Sequence, residues 1–177
     1  MESDMKTKLL GLVLGIGAVL CCGNAFAEPE CVTQYGTTVC GYNCVASYGE
    51  VKCSRTPQGV CEASYGKVVC WDPAEHVRQK AECVASYGDI ACGYNCVASY
   101  GVVKCSRTPQ GACEASYGQV VCWDPSVRTK QKAECISSYG SIACGYNCAS
   151  GYGEVKCART PNGICKADAG SVTCWDP

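Results

Sequence analysis

Eighteen cysteines recur in one fixed rhythm between residues 31 and 174. Cys31, Cys83 and Cys135 stand 52 residues apart, and each opens the run C-x8-C-x3-C-x8-C-x7-C-x8-C. Each run closes on Trp-Asp-Pro, at Trp71-Asp72-Pro73, Trp123-Asp124-Pro125 and Trp175-Asp176-Pro177. Fixed-period repetition is the sequence signature of a repeat architecture. The period defines three modules, 28–73, 83–125 and 135–177, separated by linkers at 74–82 and 126–134.

A smaller unit lies inside each module. The pattern C-x-x-x-Y-G-x-x-x-C occurs nine times, and only the last copy departs from it, with Ala169 in the tyrosine place. Successive starts are 13, 17 and 22 residues apart, which argues against a solenoid coil of fixed length. With Tyr-Gly at the two-residue tip of a β-hairpin, the first and tenth residues face each other on a non-hydrogen-bonded site. The separation there, about 4.5 Å between Cα atoms, suits a disulfide. The third and eighth residues share the cysteine face. They pair Ala46 with Val51, Ala85 with Ile90 and Ala115 with Val120, giving a small, dry inner face. A type I′ turn prefers Asn to Tyr before its Gly, so a three-residue loop with shifted pairs is the alternative. Six cysteines per module leave fifteen connectivities formally open. The hairpin reading selects Cys31–Cys40, Cys44–Cys53 and Cys61–Cys70. It repeats as Cys83–Cys92, Cys96–Cys105 and Cys113–Cys122, then as Cys135–Cys144, Cys148–Cys157 and Cys165–Cys174.

Composition makes such links necessary. Residues 28–177 hold 17 Val and 4 Ile, but no Leu and no Phe. A chain this poor in large aliphatics cannot offset its ordering entropy by burial alone. Cysteine, at 18 in 150 residues, exceeds the roughly 8–10% typical of disulfide scaffolds. A bridge closing a ten-residue loop contributes roughly 2.5 kcal/mol by the chain-entropy model.

The N-terminal stretch supplies the compartment. Lys6 and Lys8 precede an apolar or glycine run from Leu9 to Cys22, and Ala25-Phe26-Ala27 forms a small-x-small cleavage pattern. Residues 1–27 therefore read as a secretory signal, with Glu28 as the mature start. Met5 gives a cleaner initiation site than Met1, because Glu2 and Asp4 are unusual in such a leader. Lipidation at Cys21 or Cys22 is disfavoured by the large Leu20. Export leads to an oxidising compartment, periplasmic, surface-bound or extracellular, and the cleavage pattern points to a bacterium.

The connectors have their own chemistry. Gly41-Tyr42-Asn43 reads as a tight turn, and Pro57-Gln58-Gly59 as a longer one. Asp72-Pro73 and Asp124-Pro125 carry helix-start signals, so the linkers read as charged, solvated, helical spacers. The fold class expected is small, disulfide-rich and all-β, with three tandem modules of about three cystine-closed hairpins each.

Catalytic machinery is not legible. The sole histidine, His76, has no counterpart in the second linker, which excludes a repeated triad. No C-x-x-C occurs, so neither a redox dithiol nor haem attachment is supported. Cys40 and Cys44 have a spacing that zinc could use, but export and even cysteine counts favour half-cystines. The expectation is a non-enzyme without cofactor or metal. A net charge of −1 without a basic block argues against nucleic acid. No amphipathic helix for membrane attachment is evident after signal removal.

What remains is an array of polar and aromatic residues at matching places. It comprises Tyr42, Asn43, Lys52, Arg55, Trp71 and Asp72 in the first module. Tyr94, Asn95, Lys104, Arg107, Trp123 and Asp124 follow in the second, and Tyr146, Asn147, Lys156, Arg159, Trp175 and Asp176 in the third. Eight tip tyrosines add aromatic knobs. Aromatic rings beside amides and carboxylates suit glycan or protein surfaces, and repeated weak sites gain avidity. The alternative for the same residues is structural: Trp plugging a core, Asp capping a turn, Arg covering sheet edges. Two roles follow. One is a structural or interaction protein of the cell envelope or exterior, self-associating through strand edges. The other is a multivalent lectin-like or inhibitor-like binder.

Overall fold

The computed structural model describes residues 28–74, 77–126 and 129–177. Residues 1–27, read from the sequence as a secretory signal, and His76 lie outside the described residues. Within them the chain is all-β, with no helix. The first module contains β1 (Glu30–Gln34), β2 (Thr37–Ser47), β3 (Glu50–Ser54), β4 (Val60–Ser64) and β5 (Lys67–Trp71). The second repeats it as β6 (Glu82–Ser86), β7 (Asp89–Ser99), β8 (Val102–Ser106), β9 (Ala112–Ser116) and β10 (Gln119–Trp123). The third has β11 (Glu134–Ser138), β12 (Ser141–Ser150), β13 (Val155–Ala158), β14 (Ile164–Asp168) and β15 (Ser171–Trp175).

Each module is a three-stranded antiparallel sheet followed by a two-stranded one, β1-β2-β3 and β4-β5 in the first. Every C-x8-C unit is a hairpin closed by its own disulfide, nine in all, with Cα atoms 4.0–4.1 Å apart. The register is the one a two-residue tip imposes, as in Cys61↔Cys70, Ala63↔Val68 and Ser64↔Lys67. Cys40 and Cys44 belong to different bridges.

Two expectations are corrected. Gly41-Tyr42-Asn43 is not a loop between two strands. β2 passes straight through it, and its register against β3 slips between Tyr42 and Val45. Asn43 takes φ 47°, a left-handed conformation that Asn tolerates. This β-bulge bends the strand so that its two halves belong to two stacked hairpins. The bulge takes the Cys44 N–H out of the ladder, and the Glu30 carboxylate accepts it at 3.1 Å. Gly41 is required by close approach: a Cβ there would fall 2.6 Å from the Ser54 carbonyl oxygen.

The linkers are the second correction, because their described residues are not helical. Asp72, expected to cap a helix, instead accepts hydrogen bonds from Arg55 N–H and Thr56 N–H, both at 2.9 Å. The carboxylate that would start the helix is thereby held on the preceding turn. Downstream, Ala133 N–H donates to the Gln110 carbonyl, and Ala81 and Ala133 are buried.

The nine hairpins form one open pile. Extensive contacts run only between consecutive hairpins, and they cross the linkers, where β4 meets β6 and β9 meets β11. The eighth residue of the unit makes the core. Val51, Val68, Ile90, Val103, Val120 and Val172 are all buried. A column of single β-branched side chains is a thin core, and the disulfides supplement it at every level. At the module junctions Trp71 meets Tyr94 edge-on at 5.3 Å, and Trp123 meets Tyr146 at the same distance. Such pairs add about 0.5–1.5 kcal/mol beyond burial.

Candidate functional site

The irregular unit spacing is absorbed on the side of the pile away from the tips. There, a knot of polar residues closes each module. The Asn43 amide donates to the carbonyls of Pro57 at 3.2 Å and Gly59 at 2.7 Å. Asn95 and Asn147 do the same with Pro109 and Gly111, and with Pro161 and Gly163. Asp72, Asp124 and Asp176 each accept from two backbone N–H groups and one threonine hydroxyl. These N–H donors, Arg159 first and Thr160 second, hold the Asp176 carboxyl below the usual aspartate range. Ser54 bridges Tyr42 and Thr56 carbonyls, as Ser106 bridges those of Tyr94 and Thr108. Ala158 fills that place in the third module without a hydroxyl.

The other residues singled out in the sequence are placed as follows. Lys52 donates to the Val68 carbonyl at 2.8 Å and pairs with Glu50 at 2.7 Å. Lys156 repeats this with Val172 and Glu154. In the middle module Val102 occupies the place of Glu50, and Lys104 is exposed. The side chains of Glu50 and Glu154 reach forward to the N–H of Val68 and Val172. The lysine hydrogen bond, followed by that backbone bond, keeps both carboxyls below the ordinary range. Arg55, Arg107 and Arg159 are exposed. Tyr42 is half-buried, Tyr94 and Tyr146 are buried, and Trp175 is 62% exposed. The structure divides the matched array among several places: Lys52, Arg55 and Asp72 line one open cavity of about 440 Å3, Lys156, Arg159 and Asp176 line a matching one with Trp123, and the Asn residues stand apart in the module closures. Among the described residues, no group of three or more His, Cys, Asp or Glu side chains is placed to hold a metal.

The hairpin tips are assembled into a row. Tyr35, Tyr48, Tyr65, Tyr87, Tyr100, Tyr117, Tyr139 and Tyr152 are each 81–90% exposed. All lie along one edge of the pile, because each tip glycine sits against the tyrosine of the hairpin before it. A Cβ on Gly49 would stand 3.5 Å from the Tyr35 ring, on Gly66 3.5 Å from Tyr48 and on Gly88 3.6 Å from Tyr65. The same relation links Tyr87 to Gly101, Tyr100 to Gly118, Tyr117 to Gly140, Tyr139 to Gly153 and Tyr152 to Gly170. The contact crosses both linkers, so the row is continuous from the first module to the third.

Backbone geometry fixes the row further. Seven of the tip tyrosines have φ of 46–48° and are followed by glycines with φ of 80–97°. This is the type I′ turn that the two-residue tip requires. A tyrosine in the left-handed region costs about 1 kcal/mol or more. Asn or Gly would hold the turn at less cost, so local folding physics does not select tyrosine there. Hydrogen bonds lock tip to tip. Gly49 N–H donates to Gln34 Oε1 at 3.0 Å, Gly66 N–H to Ser47 Oγ at 3.2 Å, and Gly118 N–H to Ser99 Oγ at 3.0 Å.

Charge beside the row is largely self-compensated. Glu50 is paired with Lys52 and Glu154 with Lys156, and Lys67 stands 4.0 Å from Asp89. Cavities lie elsewhere. One of about 310 Å3, at the junction of the first two modules, is lined by Trp71, Tyr94, Arg107 and Gln110 and by no tip tyrosine. Sequence reading found the tyrosines as separate knobs. Their alignment was not visible because hairpins of irregular spacing give no sign of stacking in one direction. Comparison with protein-family models, curated proteins and solved structures finds no match to this chain.

Proposed function

We propose that this is an exported, non-enzymatic interaction protein of the cell envelope or exterior, whose working surface is the row of tip tyrosines. The observation that carries this reading is the conflict at the tips. Seven tyrosines stand in a backbone conformation that disfavours them, with rings exposed to solvent and burying little for the fold. Strain that local stability does not require points to a use. The disulfide pile suits an oxidising exterior. It also holds the rings in place before any partner arrives, which lowers the ordering cost of binding. The junction and closure residues, Trp71, Asp72, Asn43 and their counterparts, build the support.

The test compares mature protein with a variant carrying Asn at Tyr65, Tyr87, Tyr100 and Tyr117. Asn suits the I′ turn, so the fold is retained, as near-ultraviolet dichroism of the tryptophans will report. Retention on envelopes and exterior polymer isolated from the producing cells should fall at least tenfold. Equal retention of the two proteins would show that the row is not the working surface. N-terminal sequencing of exported material should begin at Glu28.

A further inference from the structure

We infer that the tyrosine row binds a straight, uncharged polysaccharide chain lying along it, of the β-1,4-linked type. This deepens the proposed function and rests on it. Three features of the row select this chemistry.

The first is its shape. Eight rings follow one another along one edge, with the same ring edge against the following glycine at every step where it is seen. A one-dimensional array of like contacts fits a one-dimensional partner with a repeating unit. In a β-1,4-linked chain of glucose-type pyranoses, whose O4 is equatorial, every linkage is equatorial, so the polymer runs straight and presents axial C–H bonds on its flat faces. Those C–H faces pack on aromatic rings, and the phenol and sugar hydroxyls are mutual donors and acceptors.

The second is charge. Around the tyrosine tips, Glu50 is matched with Lys52, Lys67 with Asp89, and Glu154 with Lys156, while the exposed Asp168 flanks the ninth tip, where Ala169 replaces tyrosine. A polyanion would need a run of unpaired cations, and the row offers none among its described flanks. The residues just before the tips are mainly neutral Ser, as at Ser47, Ser64, Ser86, Ser99, Ser116 and Ser138.

The third is the absence of a socket. Protein interfaces concentrate affinity in side chains that fill desolvated pockets. The row is one ring wide, each ring is 81–90% exposed although it touches the next tip glycine, and the 310 Å3 junction cavity has no tip tyrosine in its wall. Many shallow, equivalent contacts that add by avidity are the mode this surface supports.

The experiment is a depletion isotherm of the disulfide-intact mature protein on microcrystalline cellulose and on chitin, with alginate beads as the charged comparison. Binding to at least one of the two uncharged polymers is expected. It should change less than twofold between 0.05 and 1 M NaCl, because no ion pairs are involved. Soluble oligosaccharide of the same linkage should compete. The variant with Asn at Tyr65, Tyr87, Tyr100 and Tyr117 should lose at least tenfold in affinity while keeping its dichroism. Binding to neither uncharged polymer, or salt-sensitive binding to alginate alone, overturns the glycan assignment. So does attachment to cell envelopes that disappears after the envelopes are treated with protease, which would identify a protein partner. In those cases a tenfold loss of envelope attachment in the same variant leaves the tyrosine row standing as the working surface. No loss on any material removes both readings together.

Discussion

The hydroxyl of Thr129 lies 3.0 Å from the phenol oxygen of Tyr146, and the corresponding residue before Tyr94 is Val77. The two tyrosines are otherwise equivalent. Both are buried, and both meet a tryptophan edge at 5.3 Å. The Tyr94 hydroxyl therefore has no hydrogen-bond partner among the described residues, and burial pushes its pKa upward. An unsatisfied buried hydroxyl costs about 1–3 kcal/mol. Tyr94→Phe should be neutral or stabilising, whereas Tyr146→Phe should cost about 1 kcal/mol. Val77→Thr should stabilise by a similar amount. Denaturant titration of the oxidised protein measures all three. Equal losses for the two Phe variants would mean that Tyr94 has a partner after all.

Single tip substitutions separate fold from use. Tyr65→Asn or Tyr100→Asn relieves a left-handed tyrosine at φ 46–48°. Stability should rise by up to about 1 kcal/mol per site. Tyr152 is not in the left-handed region, and Tyr152→Asn should bring no such gain. A clear loss of stability at Tyr65 or Tyr100 would show that the rings serve the fold and would remove the strain argument.

Acid should loosen the contacts that join the last two hairpins of a module. The carboxyls of Glu50, Glu154 and Asp176 are all held below their ordinary range, by the hydrogen bonds from Lys52, Lys156 and the Arg159 N–H respectively. A depressed folded-state pKa stabilises the fold above the unfolded value, about 4. That contribution is lost as pH falls through the folded value. Thermal midpoints should be level near neutrality and decline below about pH 4. The triple variant Glu50→Gln, Glu154→Gln, Asp176→Asn should flatten the decline. A midpoint that climbs on acidification contradicts the sign.

Reduction should dissolve the tertiary structure. Each bridge spans a sequence separation of 9, so loss of any one should cost roughly 2.5 kcal/mol before strain is considered. Removing Cys83 and Cys92 together as Ala should lower stability by about that amount without unfolding the chain. Full reduction should abolish near-ultraviolet dichroism. Non-reducing peptide mapping should recover nine bridges of first-to-tenth type and no free thiol.

Much of this molecule is written locally, and the reason is the shortness of its interactions. Tyr-Gly at a fixed distance from two cysteines determines turn, register and bridge together, since all three are settled within ten residues. That is why Cys44–Cys53 or Cys113–Cys122 could be paired from spacing alone. The composition likewise determines that covalent links must supplement a core built from Val and Ile. Position eight, from Val51 to Val172, was legible as apolar, though not as a column.

Tertiary structure decided what happens between hairpins. The bend at Asn43 depends on the Glu30 carboxylate arriving 14 residues away to accept the Cys44 N–H. The described residues of the first linker are not helical, and Asp72 finds donors on Arg55 and Thr56, which outcompete the N-terminal cap that its sequence neighbours suggest. The tyrosine row exists only because each tip glycine seats against the preceding ring, across connectors of three different lengths. Local rules fix each hairpin, but the direction in which hairpins pile is set by side chains reaching from one to the next.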